Sequence, residues 1–232
     1  MTDSKTQPPA AAPGSLVWEV PTRLFHWIIV LLFVVAWLTA EDEQPLFLIH
    51  QLAGYGILVA VLFRLVWGFA GGRYARFSNF IHPWSKVRDY LRNIFRNRQS
   101  GSVGHNPAGG WMIALLLALL TATVISGLFV SDDGIGGPWA VFISPNIAHM
   151  MEDVHEGIAN ALLVAVFVHI AGVALESLLE GRNLVGAMWT GRKKELEDDQ
   201  PESAVPVAVT AWRAPLILLF SALAIWAAVT VQ

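Results

Sequence analysis

Cysteine does not occur in the 232 residues, so disulfides, thiolate metal sites and iron–sulfur clusters held by this chain are excluded. Any metal chemistry must then use histidine, of which there are seven. Charge is scarce as well, at 14% of residues against about 25% in an ordinary soluble domain. With 55% hydrophobic residues and ten tryptophans besides, the chain reads as an integral membrane protein. Nucleic-acid binding has no support, the formal net charge being −3, and in a membrane protein the placement of charge along the chain matters more than its sum. A secretory signal is not expected either. The first apolar run begins only after Phe25, continues to about Thr39, and meets the acidic Glu41, Asp42 and Glu43 without a small-residue cleavage pattern.

What is present is a series of apolar runs separated by polar punctuation. Residues 1–15 are polar, small and proline-rich, with too little apolar surface to order themselves, and are expected to form a disordered tail. The first span carries Arg23 and His26 at its start and ends at the turn Glu41 to Pro45. A second span is predicted from His50 to Ala70, a third from Trp111 to Val130, a fourth from His155 to Leu179 and a fifth from Pro215 to Val231. Between the second and third, HPWSKVRDYLRNIFRN sets Trp84, Val87, Leu91, Ile94 and Phe95 opposite Lys86, Arg88, Arg92 and Arg96, the pattern of a helix lying in the membrane interface. The stretch SDDGIGGPWAVFISPN reads as an irregular connection. The expected division is a tail at 1–15, a four-helix domain at 16–195, a linker at 196–212 and an additional C-terminal helix at 213–232.

Orientation follows from Lys and Arg placement. Residues 40–49 and 131–154 contain neither, whereas 71–110 hold Arg73, Arg76, Lys86, Arg88, Arg92, Arg96 and Arg98, and 180–213 hold Arg182, Arg192, Lys193, Lys194 and Arg213. The positive-inside rule places the two basic connections in the cytoplasm. The N-terminus is then cytoplasmic and the C-terminus on the opposite side of the membrane.

Depths can now be assigned. His155 and His169 lie fourteen residues apart on one helix, hence about 40° apart around its axis and about 21 Å along it. His26 opens an outward-going helix and lies near the cytoplasmic face, while His50 opens an inward-going one near the outer face. Four histidines sort into an inner pair, His26 with His169, and an outer pair, His50 with His155. A lone imidazole in hydrocarbon is costly unless something satisfies it. A porphyrin whose iron takes one imidazole on each side fits that requirement and also covers apolar surface inside a bundle. Arg64 follows His50 by fourteen residues, on nearly the same face at the inner level, where a haem propionate or a quinone oxygen would pair it; Arg23 is placed for the same part. The plainer reading gives His26 and His50 interfacial roles and lets Arg64 snorkel to the surface. His149 reads as interfacial with a substitute role as outer ligand, His82 as a headgroup-level residue, and His105 as a loop residue with a quinone site as its alternative. Gly54, Gly56, Gly127 and Gly157 are the small residues that would let helices or a porphyrin face approach. Trp18, Trp27, Trp67, Trp84, Trp111, Trp139, Trp189 and Trp212 fall near predicted boundaries and read as an aromatic belt.

The segments PTRLFHW, HQLAGYGILVAVLFRLVWGFAGGRYARF, GHNPAGGW and HEGIANALLVAVFVH, taken together, resemble the bacterial dihaem cytochrome b-561 family. The likeness is to the branch that includes the b-type cytochrome subunits of membrane-bound nickel–iron hydrogenases, and it spans residues 16–195. The resemblance implies an all-α transmembrane four-helix bundle with two b haems ligated at His26, His50, His155 and His169. It also implies electron transfer between a periplasmic partner, a hydrogenase or a c-type cytochrome, and the quinone pool. A related group oxidises superoxide while reducing quinone, so a stand-alone superoxide:quinone oxidoreductase is the alternative. A histidine-based metal or proton transporter is the third class. Quinone is expected on the inner side beside Arg23 and Arg64. Asp132, Asp133, Glu152 and Asp153 are expected to face a basic partner outside, and a homodimer is compatible with these features.

Overall fold

The computed structural model describes residues 15–40, 45–95, 104–132, 135–193 and 212–230. The expected tail, most of the acidic turn, Asp133 and most of the linker lie outside the described residues. Among the described residues, five helices are long and apolar enough to cross a membrane: α1 (Val20–Leu38), α2 (Leu46–Ala70), α5 (Pro107–Gly127), α6 (Pro145–Glu180) and α8 (Arg213–Thr230). The shorter helices are α3 (Phe77–Phe80), α4 (Trp84–Phe95) and α7 (Leu184–Thr190). The protein is an all-α, multi-pass membrane protein.

Local chemistry sets the helix starts. Pro21, Pro107 and Pro145 occupy first-turn positions of α1, α5 and α6, where a missing N–H costs nothing and the ring presets the backbone. Asn106 caps α5 through its side-chain oxygen, which accepts from the Gly109 N–H at 2.6 Å. For this reason α5 begins four residues before the predicted Trp111. The difference at α6 is larger. This helix opens at Pro145 rather than His155, so the SPN end of the expected irregular connection is a helix start. Its 36 residues extend about 54 Å, against a hydrocarbon core about 30 Å thick. Polar Glu152 and Asp153, in the stretch the sequence reads as a connection, are therefore part of a helix longer than the hydrocarbon core is thick. α6 stops at Gly181, whose φ of 62° is the left-handed C-terminal position.

Packing runs α1 on α2, α2 on α5 and α5 on α6, with α8 laid along α2. The central layer is built from Ile57 and Val61 of α2, Leu120 and Val124 of α5 and Leu162 of α6, backed by Ile29, Leu32 and Phe33 of α1. Leu162 is seven residues from both His155 and His169, so this apolar layer separates the two histidine levels. The fifth span belongs to the bundle. Trp67 of α2 is fully buried at 0% exposure, stacked on Phe63 and covered by Ala214 and Ile217 of α8. At the other end of α8, the Trp139 indole donates to the Ala228 carbonyl at 2.8 Å.

Trp67 is thus a core residue and not part of the aromatic belt. Trp18 is also buried, whereas Trp84, Trp111, Trp189 and Trp212 are exposed as a belt requires. A short antiparallel ladder pairs β1 (Ser15–Leu16) with β4 (Arg192–Lys193), joining the two ends of the stretch that contains the first four spans. A second ladder pairs β2 (Ser131–Asp132) with β3 (Ile135–Gly136) in the α5–α6 connection. α4 lies where the amphipathic pattern predicts it, with Val87 buried and Lys86, Arg88 and Arg92 exposed.

Candidate functional site

The histidines fall at two levels. At one, His50 in the first turns of α2 faces His155 of α6, with ring centroids 6.1 Å apart and planes at 78°. Each ring is held by its Nδ1. His50 Nδ1 lies 2.8 Å from the Ala36 carbonyl, in the last turn of α1, where carbonyls lack intrahelical partners. His155 Nδ1 lies 2.8 Å from the Thr123 carbonyl of α5 and 3.2 Å from the Ser126 hydroxyl. Both contacts to carbonyls require Nδ1 to carry the proton and donate, which leaves each Nε2 as an unprotonated lone pair.

Glycine makes the second of these contacts possible. A Cβ on Gly127 would stand 3.0 Å from His155 Cε1 and 3.2 Å from Nδ1, so any side chain there would crowd the ring by a few tenths of an ångström. Two metal–imidazole bonds of about 2 Å and the half-widths of the two rings sum to roughly 6.3 Å, close to the observed centroid separation. Among the described residues, no group of three or more histidine and carboxylate side chains is placed to hold a metal ion. Two imidazoles so placed could hold a metal centre that brings its remaining ligands with it.

At the other level, His26 of α1 and His169 of α6 lie within electrostatic reach of one another. His26 Nδ1 is buried with no hydrogen-bond partner, and its ring meets the edge of Trp27 at 4.9 Å. Helix α6 packs closely on α5 but not on α1 or α2, which carry the facing histidines. Gly54, one turn past His50, and Gly172, one turn past His169, have no atom within 4 Å of where a Cβ would stand.

The arginines divide. Arg23 is drawn to α7, its guanidinium donating to the Trp189 carbonyl at 2.6 Å, while its buried Nε has no partner among the described residues. Arg64 is 3% exposed and does not snorkel. Its guanidinium lies 5.1 Å from the ring centre of Phe77 and 5.8 Å from that of Phe80. His105 lies in the loop just before the Asn106 cap, as the sequence suggests, and packs between Trp18, at 4.3 Å, and Phe80, at 4.9 Å. His149 is helical but turned outward, its side chain 76% exposed and 3.2 Å from Glu152, so the structure does not bring it to the His50 ring. His82 offers its backbone carbonyl to the Trp111 indole at 2.9 Å.

Sequence reasoning missed the groups that orient the histidines. Ala36 and Thr123 act through backbone carbonyls, which no side-chain pattern reveals. The Ser126-Gly127 pair was visible, but only the packing of α6 on α5 gives it a task.

Comparison with known proteins adds an independent line. The prokaryotic cytochrome b561 family matches residues 17–191. A probable Ni/Fe-hydrogenase B-type cytochrome subunit of Azotobacter chroococcum mcd 1 is 27% identical over 223 residues, covering 80% of this chain and 90% of that protein. The protein of the same description from Rhizobium leguminosarum bv. viciae is 27% identical over 217 residues, covering 78% and 90%. The probable Ni/Fe-hydrogenase 1 B-type cytochrome subunit of Escherichia coli (strain K12) is 33% identical over 118 residues, covering 39% and 49%. No solved structure matches the chain.

Proposed function

The chain belongs to the prokaryotic cytochrome b561 family, and from that premise we propose that it is a dihaem b-type cytochrome passing electrons across the membrane between a hydrogenase and the quinone pool. His50 and His155 hold one haem, and His26 and His169 the other. The hydrogenase is assigned from the descriptions of the relatives. With the basic connections taken as cytoplasmic, the His50/His155 site lies toward the periplasm, the side to which we assign the hydrogenase, and we assign quinone to the His26/His169 end near Arg23 and Arg64.

One observation carries this reading. The His50 and His155 rings stand with centroids 6.1 Å apart and both Nδ1 protons committed to backbone carbonyls, which leaves the Nε2 lone pair of each ring free to act as a ligand. The remaining surroundings fit a flat apolar group. His26 offers a buried ring nitrogen without a partner, glycines 54 and 172 leave room beside the histidines, and α6 stands off from α1 and α2.

Bound haem supplies a reversible one-electron iron couple. The chain's own residues do the rest. Two imidazoles per site would hold the iron from both sides, leaving it to carry electrons without bonding substrate. The carbonyls of Ala36 and Thr123 fix tautomer and ring direction and raise imidazole basicity, as outer-shell partners of metal-bound histidine do. Leu162, Ile57, Val61, Leu120 and Val124 keep water out of the layer between the two levels.

The test is spectroscopic. Purified protein, expressed with ample haem, should give b-type bands in a reduced-minus-oxidised spectrum and two haems per chain by haemochrome assay. His50→Ala and His155→Ala should each remove the same haem, and His26→Ala and His169→Ala the other. An absence of b-type bands, or losses that cross between the pairs, overturns the reading. Co-purification with a hydrogenase tests the partner, and superoxide-driven quinone reduction by the isolated chain would replace it with the stand-alone activity.

A further inference from the structure

Arg64 is a fixed positive charge inside the bundle. It is 3% exposed, six residues short of the end of α2, and its NH1 is buried with no hydrogen-bond partner among the described residues. Its observed neighbours are the ring faces of Phe77 and Phe80, which steady a cation but do not neutralise it. The roof they form is built in. Gly68 of α2 faces the Phe77 ring, and Gly110 of α5 faces the Phe80 backbone, both so closely that no Cβ could stand at either position. Helix α3 is thereby seated over Arg64.

His105 lies within electrostatic reach of Arg64 and of His169. Its Nδ1 is also buried without a partner, and its ring is gripped by Trp18 and Phe80. Burial, with the nearby Arg64 and Lys193 and the adjacent His169, pushes its pKa down to about 3, so at neutral pH it presents an N–H and no charge. Three described acids near this end of the bundle have partners of their own. Glu19 accepts from the Gly72 N–H, Glu176 accepts from the Asn106 amide at 2.5 Å, and Glu180 meets Lys193 and Arg182 at 3.8 and 3.7 Å. A buried, unpaired guanidinium beside an unpaired imidazole is a costly arrangement that an anion of the right size would complete.

We propose that Arg64 and His105 form a carboxylate-holding pocket at the His26/His169 end, and that its occupant is a propionate of the haem held there. The inference rests on the dihaem reading above. A propionate is favoured over a quinone carbonyl because a full negative charge, and not merely an acceptor, is what a sealed guanidinium lacks. Arg64 is on this account a positioning residue that also tunes potential. Its charge opposes the oxidised, more positive state of the iron and neutralises the carboxylate, both of which raise the haem's midpoint potential.

The experiment is a potentiometric titration of both haems in the purified, haem-loaded protein over a range of pH. Arg64→Gln should lower one of the two potentials by at least a tenfold change in its equilibrium, about 59 mV for one electron, and leave the other in place. The lowered potential should also become pH-dependent, because a carboxylate left unpaired in an apolar site takes up a proton when the iron is reduced. Arg64→Lys should keep most of the wild-type value, and His105→Phe, which retains the ring but not the donor, should move the same haem in the same direction by less. Unchanged potentials in Arg64→Gln, equal movement of both haems, or loss of quinone reactivity with potentials unmoved would each overturn the pocket. If Arg64→Gln does not assemble, His105→Phe decides, and an unmoved potential there overturns it too. A wild-type protein with fewer than two haems instead removes the dihaem reading, and with it the occupant.

Discussion

At the scale of single residues, the His50/His155 site shows how backbone groups prepare side chains. An imidazole can present either nitrogen, and which one is free depends on what the other binds. Here two main-chain carbonyls, from Ala36 and Thr123, make that choice. Gly127 permits the second by having no side chain where the His155 ring lies. Gly127→Val should therefore push the ring off the Thr123 carbonyl and weaken haem retention at this site by about 10–100-fold, the usual scale for lost outer-shell support. Haem stoichiometry after graded dilution in detergent measures it, and retention equal to wild type would show that Gly127 has no such part. At the other level His26 has no comparable support among the described residues, so the two sites differ in how firmly their histidines are held before anything binds.

At the scale of elements, the interest lies in how α2 serves both levels and a neighbour. One of its faces carries His50 and, fourteen residues on, Arg64. Another carries Phe63 and Trp67, which meet α8. The fifth span is consequently the wall that closes the Trp67 pocket, tied at its far end through Trp139 to Ala228. Trp67→Ala should cost about 3–5 kcal/mol, the range for emptying an aromatic site in a core, and should lower the thermal unfolding midpoint in detergent. Because Trp67 touches neither histidine pair, the haem spectrum should stay as in wild type until unfolding begins. A Trp67→Ala protein with unaltered stability would mean that α8 does not pack here in the membrane. Spacing alone could not place this residue. Trp67 stands near a predicted boundary with an apolar residue on each side, and an interfacial indole and a buried one look the same in sequence.

At the scale of the whole molecule, the five spans and the charge of their connections make an asymmetric object. Basic connections lie at the end that holds His26, His169 and Arg64, and connections without Lys or Arg at the end that holds His50 and His155. Reporter fusions should find residues after α8 outside the cytoplasm and the α2–α5 and α6–α8 connections within it. The opposite labelling would exchange the sides assigned to quinone and hydrogenase while leaving the two sites as they are.

Much of this architecture could be read without coordinates. Absence of cysteine, scarcity of charge and the run lengths determined that the chain crosses a membrane several times and that histidine must serve any metal. The fourteen-residue spacing of His155 and His169 determined that one helix bears two polar groups at two levels, because helical pitch is a property of the backbone. Tertiary structure decided what periodicity cannot express. It chose His155 over His149 by turning the latter outward. It kept Arg64 inside by roofing it with α3, although a cation so near a helix end was as well placed to snorkel. It drew Arg23 toward α7 and made Trp67 core. Each of these outcomes depends on which faces of separate helices meet, and that contact is settled by packing between segments distant in the chain, where a single sequence leaves no periodic trace.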